Sequence, residues 1–189
     1  MGHKHSKMNE KEVKKLSKIC DMSPAEIREW HKDFKRLLKG GRYLTPQNFK
    51  QVYNEMFHGD ATHFAENVFR TFDIDGNGKV DFKEFLIGLS ITASSNVEKR
   101  LRWAFKMYDV DGSGTISRQE MCSIVQAVYT MTAISQQNSI PPQKLADDLF
   151  SKLDTDNNGE ITWEEFRDGA MNDETLLRLL QIDPEGEDE

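Results

Sequence analysis

Three stretches of twelve residues repeat one pattern and constrain this chain more than any other feature. They are DIDGNGKVDFKE (Asp73–Glu84), DVDGSGTISRQE (Asp109–Glu120) and DTDNNGEITWEE (Asp154–Glu165). Each carries oxygen-bearing side chains at positions 1, 3, 5, 9 and 12, Gly at position 6 and Val or Ile at position 8. Oxygens at that spacing suit a hard cation, which takes six to eight oxygen ligands at about 2.3–2.6 Å. Gly78, Gly114 and Gly159 allow the sharp turn that wraps a short loop around an ion. A lone Asp-x-Asp-Gly is ordinary turn chemistry. Three complete copies make chance agreement remote.

The pattern is that of the EF-hand calcium loop. The second hand offers Asp73, Asp75, Asn77, the Lys79 carbonyl, Asp81 and Glu84. The third offers Asp109, Asp111, Ser113, the Thr115 carbonyl, Ser117 and Glu120. The fourth offers Asp154, Asp156, Asn158, the Glu160 carbonyl, Thr162 and Glu165. Glu at position 12 is long enough to grip an ion with both oxygens, and position 9 acts through a water. The second loop alone has a carboxylate at position 9, so it is expected to bind tightest. Val80, Ile116 and Ile161 are apolar because paired loops meet there in a short ribbon. Apolar residues at i, i+3 and i+4 flank every loop, as in Phe64–Val68–Phe69–Phe72 and Leu101–Ala104–Phe105–Tyr108, and predict amphipathic helices.

Loop spacing predicts a fourth unit starting near residue 37, and Leu37–Asn48 (LLKGGRYLTPQN) lies there between helical patterns. Leu44 takes position 8, but positions 1, 3, 6 and 12 are Leu37, Lys39, Arg42 and Asn48. With no carboxylate among its ligands, this first hand is expected to be inactive and to support the second. The chain then divides into a basic leader over 1–22 and a first lobe over 24–93. A second lobe covers 98–172, and a short helix with an acidic tail covers 173–189.

Charge is unevenly distributed. Residues 1–58 carry 13 Lys and Arg against 7 Asp and Glu, whereas residues 59–189 carry 12 against 25. The acidic part suits cations, and the basic front suits an anionic surface. No apolar run is long enough to span a bilayer, and the lysine-rich start lacks the apolar segment of a secretory signal. Cys20 and Cys122 match no zinc or redox spacing and read as free thiols of a reducing, cytoplasmic protein. None of the five histidines sits in a nucleophile–base motif, so no enzymatic activity is expected. No nucleic-acid reader motif accompanies the basic residues.

The chain opens MGHKHS, which fits M-G-x-x-x-[ST] and makes Gly2 a candidate for N-myristoylation. Lys4, Lys7, Lys11, Lys14, Lys15 and Lys18 supply the second signal that a single acyl chain needs for stable anchoring. Together with EIREWHKDF (26–34), FDIDGNGKVDFKEFLIGLS (72–90), KRLRWAFKMYDVDGSGTIS (99–117) and EMCSIVQAVYTM (120–131), this start resembles the neuronal calcium sensor family. The resemblance implies an all-α fold of the EF-hand, calmodulin-like superfamily, with four hands in two paired lobes in the recoverin-like arrangement. It also implies an acylated N-terminus and an inactive first hand. Two features depart from the family. The family's Cys-Pro pair in the first loop is replaced by Leu38-Lys39-Gly40-Gly41, and the chain ends in DPEGEDE.

The expected function is a cytosolic sensor. It takes three Ca2+, with Mg2+ as the ion of the calcium-free state, and associates reversibly with anionic membrane lipids through a calcium–myristoyl switch. It then presents an apolar groove to a helix of a target protein. Trp30, Phe34, Phe49, Val52, Tyr53, Phe57, Phe85 and Leu89 are the candidate groove residues, although aromatics at helical spacing equally build a core. A monomer or weak dimer is expected. Two alternatives stay open: a calcineurin-B-like regulatory subunit of an enzyme, and a calcium buffer that exposes no groove.

Overall fold

A computed structural model describes residues 8–38, 40–133, 140–174 and 176–177. Among these residues the chain forms nine helices. They are α1 (Glu10–Cys20), α2 (Pro24–Leu37), α3 (Pro46–Met56), α4 (Thr62–Phe72), α5 (Phe82–Thr92), α6 (Val97–Tyr108), α7 (Arg118–Thr132), α8 (Pro142–Leu153) and α9 (Trp163–Asn172). Two two-residue strands, β1 (Ile116–Ser117) and β2 (Glu160–Ile161), complete the list. The helix starts are written locally. Asn9, Ser23, Thr45, Asp81, Ser117 and Thr162 each close a capping box with the side chain three positions into the helix. Pro24, Pro46 and Pro142 sit in the first turn, where their missing N–H costs nothing.

The helices form four helix–loop–helix units: α2–α3, α4–α5, α6–α7 and α8–α9. The units pair through their loops. Ile116 lies opposite Ile161 in the antiparallel β1–β2 ribbon. Leu44 and Val80 exchange both backbone hydrogen bonds at 2.9 Å, so the first loop is clamped to the second at position 8 of each. Four EF-hands in two paired lobes is therefore the fold. One apolar core runs through both lobes, from Phe49, Phe69 and Phe72 to Tyr108, Phe150 and Phe166.

The basic leader is more than a tail. Val13, Leu16 and Cys20, on one side of α1, are buried with Ile27 of α2 and Leu86 of α5 in a second, smaller core. The sequence reading started the first lobe at residue 24, whereas α1 packs against that lobe as its own layer. Its apolar residues, spaced i, i+3 and i+7, are diluted among lysines and so escape a composition-based reading. Burial pushes the Cys20 thiol pKa up, partly offset by a hydrogen bond with Ser90, which keeps it a packing residue rather than a reactive thiolate. The expected helix over 173–181 falls mostly outside the described residues; Leu176, within them, is buried in the main core. Gly2, Lys4, Lys7, Lys39 and the acidic tail also lie outside.

Two close contacts join the lobes. Gly59 donates its N–H to the Met131 carbonyl at 2.9 Å. A Cβ on Gly59 would stand 1.9 Å from the Thr130 carbonyl oxygen, so only glycine permits this approach. Arg70, near the end of α4, donates to the carbonyls of Lys106, Met107 and Asp109 at 3.0, 2.8 and 2.6 Å. Those carbonyls close the last turn of α6, where unsatisfied acceptors and the negative end of the helix dipole attract a cation. Arg70→Ala strands part-buried carbonyls and is expected to cost about 1.5–3 kcal/mol of stability. Urea unfolding of the calcium-free protein checks it; a change below about 0.5 kcal/mol would mean that water replaces the guanidinium.

Candidate metal centres and the adjoining groove

The repeat places three matching carboxylate clusters. Asp73, Asp75 and Glu84 bring ligand atoms within 4.8 Å of one another, as do Asp109, Asp111 and Glu120, and Asp154, Asp156 and Glu165. The loops build these clusters by the same hydrogen bonds. The position-1 carboxylate accepts from the position-6 glycine N–H: Gly78 to Asp73 at 2.8 Å, Gly114 to Asp109 at 3.0 Å and Gly159 to Asp154 at 3.1 Å. The turn also needs a left-handed residue at position 4, with φ of +69° at Gly76, +73° at Gly112 and +58° at Asn157. Asn tolerates that region better than most residues, which is why DTDNNG serves where the other loops use Asp-Gly.

The position-12 glutamates tie each loop shut. One Glu84 oxygen accepts from the Ile74 and Asp75 N–H groups at 3.0 and 3.2 Å, and the other from the Asp81 N–H at 3.0 Å. Glu120 repeats the arrangement with Val110, Asp111 and Ser117, and Glu165 with Thr155 and Thr162. Burial works against the Glu165 carboxylate, but hydrogen bonds from Thr162 and Thr155 outweigh it and bring the pKa to about 2. The Asp111 carboxyl is likewise held below its usual range, chiefly by the Ser113 N–H and hydroxyl.

Position 9 has a second role that the spacing concealed. Asp81, Ser117 and Thr162 are the N-caps of α5, α7 and α9. Asp81 is turned to the Glu84 N–H at 2.9 Å and stands outside the Asp73–Asp75–Glu84 cluster. The fourth carboxylate of the second hand is thus committed first to its helix. The carbonyl positions Lys79, Thr115 and Glu160 follow the turn in each loop, and the Asn77, Ser113 and Asn158 N–H groups are drawn onto the position-3 carboxylates at 3.1, 2.9 and 3.0 Å. Three anionic groups converge with no cationic side chain among them, and the buried Oδ1 of Asp109 has no hydrogen-bond partner. An all-oxygen, anionic donor set of this kind fits a hard divalent cation such as calcium. Among the described residues of the first loop there is no comparable cluster.

Beside the second-hand cluster of the first lobe opens a groove of about 710 Å³. Phe49, Val52, Tyr53, Phe57, Phe85 and Leu89 line it. Trp30 and Phe34 do not; their rings lie 6.3 and 5.0 Å from that of Phe85, which does. Phe34 is core, packed on Phe82 and Phe85, while Trp30 is exposed. The sequence reading missed the other wall, which comes from the second lobe: Arg100, Trp103 and Ala104 of α6, and Val128, Met131 and Thr132 of α7.

Comparison with known proteins now decides the family. Residues 98–181 match an EF-hand domain pair and residues 64–91 a single EF hand domain. Recoverin of Homo sapiens is 33% identical over 98% of this chain and 96% of its own length. Neuronal calcium sensor 1 of Lymnaea stagnalis is 35% identical over 99% of this chain and its own full length. The chain belongs to the neuronal calcium sensor family. Guanylyl cyclase inhibitory protein of Lithobates pipiens, 33% identical over 91% of this chain and 85% of its own length, is a further relative. The family's EF-hand units coincide here with the three carboxylate clusters. Among the described residues no helix is long and apolar enough to cross a membrane.

Proposed function

We propose that this chain is a calcium sensor that binds three Ca2+, one in each acidic cluster, and passes the signal to a target protein through the groove. The observation that carries this reading is the junction of the two features. Glu84 closes the second loop from the first turn of α5, and Phe85, the next residue, lines the groove. Loading that loop and moving α5 are then one event, as in other sensor EF-hands that expose apolar surface on binding calcium. A buffer needs no such groove. The target is a protein segment of helical form, since helical apolar faces dock in grooves of this kind. One relative is named for inhibiting guanylyl cyclase, and an enzyme of that sort is within the scope of the proposal.

Titration calorimetry, followed by dye binding to apolar surface, tests the reading. Three ions at affinities of about 10⁻⁷–10⁻⁵ M and a rise in dye fluorescence are expected. A stoichiometry of two or four, or no fluorescence change, would overturn it.

Asp81 gives a finer check. Asn caps a helix as well as Asp does, so Asp81→Asn keeps the α5 cap and removes one charge near the second site. The second loop is expected to fill first in a site-resolved NMR titration of the wild type, and to lose that lead in the variant. If the variant fills in the wild-type order, the charge at position 9 does not set the ranking.

The N-terminus belongs to the same proposal. Acylation at Gly2 and attraction of the lysine-rich leader to anionic lipid would bring the sensor to a membrane when calcium is bound.

A further inference from the structure

The groove is not uniformly apolar, and its charged corner has unmet chemistry. Among the described residues lining it, Arg100 is the only charged one, and no carboxylate of those residues accompanies it. Arg100 sits on α6, three residues before Trp103, so the two project from adjacent turns of one helix face. The Arg100 Nε and the Trp103 Nε1 are both buried and neither has a hydrogen-bond acceptor. No acidic side chain among the described residues pairs with Arg100, although exposed arginines such as Arg28, Arg36 and Arg118 all have carboxylate partners. Buried donors are nearly always satisfied, so two orphans on residues that line one groove ask for an acceptor, which a ligand supplies once these wall side chains turn toward it.

We propose that the groove takes an amphipathic helix carrying a single carboxylate on its apolar face, at the end that rests against α6, and that Arg100 and Trp103 receive that carboxylate. This rests on the groove being the target site. The helical form follows from the walls, which are helix faces presenting aliphatic and aromatic side chains. The carboxylate follows from the donors. A guanidinium edge offers parallel N–H groups that match two carboxylate oxygens, and an indole N–H donates only. One arginine and one indole supply too little positive charge for a phosphate dianion. Enclosed by apolar neighbours, the pair is screened little by water, so the contact discriminates between ligands as well as adding affinity.

The experiment uses the full-length, calcium-loaded protein and a short Leu/Ala/Lys amphipathic peptide in three versions, with Glu, Gln or Leu at the end of the apolar face. Calorimetry on the wild type is expected to show the Glu peptide binding at least about tenfold more tightly than the Leu peptide, with Gln between them. Arg100→Gln should abolish the Glu preference and leave the Leu peptide unchanged. Trp103→Phe, which keeps the ring and removes only the N–H, should reduce the preference. Unchanged calcium stoichiometry in both variants shows that they are folded. Equal binding of the Glu and Leu peptides, or a preference that survives Arg100→Gln, overturns the inference while the groove remains the target site. If no peptide binds in calcium, the groove reading fails and the inference fails with it.

Discussion

Glu84→Gln, Glu120→Gln and Glu165→Gln are each expected to lower the calcium stoichiometry from three to two, with the emptied site weaker than the sensor range of about 10⁻⁷–10⁻⁵ M. The substitution is clean because of what these side chains do without an ion. Each occupies the third position of a helix and closes a capping box. Glutamine fills that role too, so the helix start survives. What is lost is the charge and one of two equivalent oxygens. In the second hand, both Glu84 oxygens are engaged, one with the loop entrance at Ile74 and Asp75, the other with the helix start at Asp81. A glutamine cannot accept at both places, and its amide end repels the N–H groups it meets. Calorimetry on each variant reads the outcome. A variant that keeps three ions at near-normal affinity would remove position 12 from the ligand set of its loop. Glu84→Gln carries a further expectation, loss of calcium-dependent exposure of apolar surface, because its neighbour Phe85 lines the groove.

The loops were legible because their chemistry is local. Twelve consecutive residues must supply the oxygens, the turn and the helix start, so each requirement leaves a mark at a fixed position. The lack of an acidic cluster among the described residues of the first loop was legible for the same reason, and its pairing through Leu44 and Val80 follows from the apolar residue at position 8. Where a residue can serve two roles, its type does not show both. Asp81 is of a type that suits calcium, and the same type suits an N-cap, which is the role its hydrogen bond to the Glu84 N–H shows. Non-local features left no mark. The partners of Arg70 are main-chain carbonyls of residues 106, 107 and 109, which no side-chain pattern announces. The second wall of the groove likewise comes from α6 and α7, whose apolar positions read as core of their own lobe. Helix α1 lies between these cases. Its capping box at Asn9 and Glu12 is local, but its docking through Val13, Leu16 and Cys20 requires knowing what it meets.

That docking shapes the membrane prediction. With Val13, Leu16 and Cys20 held inward, Lys11, Lys14, Lys15 and Lys18 stand exposed at spacing i, i+3, i+4 and i+7, along one side of α1. Four cations fixed on one face meet an anionic surface together, without the entropy loss of ordering a free tail. At about 1 kcal/mol for each lysine near anionic lipid, changing all four to glutamine is expected to weaken binding of the acylated, calcium-loaded protein by roughly 10³-fold. Myristate alone, at about 10⁴ M⁻¹, cannot compensate for that loss. Three bound Ca2+ would move the formal charge from −7 to −1 and ease repulsion from the acidic lobes. Beyond a Debye length of about 8 Å that repulsion is screened, so the nearby lysine face outweighs the distant carboxylates. Cosedimentation with vesicles containing phosphatidylserine compares acylated wild type, the four-lysine variant and Gly2→Ala, with and without calcium and at two salt concentrations. The four-lysine variant should lose most but not all of its salt dependence, since Lys4 and Lys7 remain, and Gly2→Ala should keep it at lower affinity. Equal binding by the four-lysine variant and wild type would show that α1 faces away from the bilayer. Equal binding of wild type with and without calcium would leave the anchor standing and remove the switch.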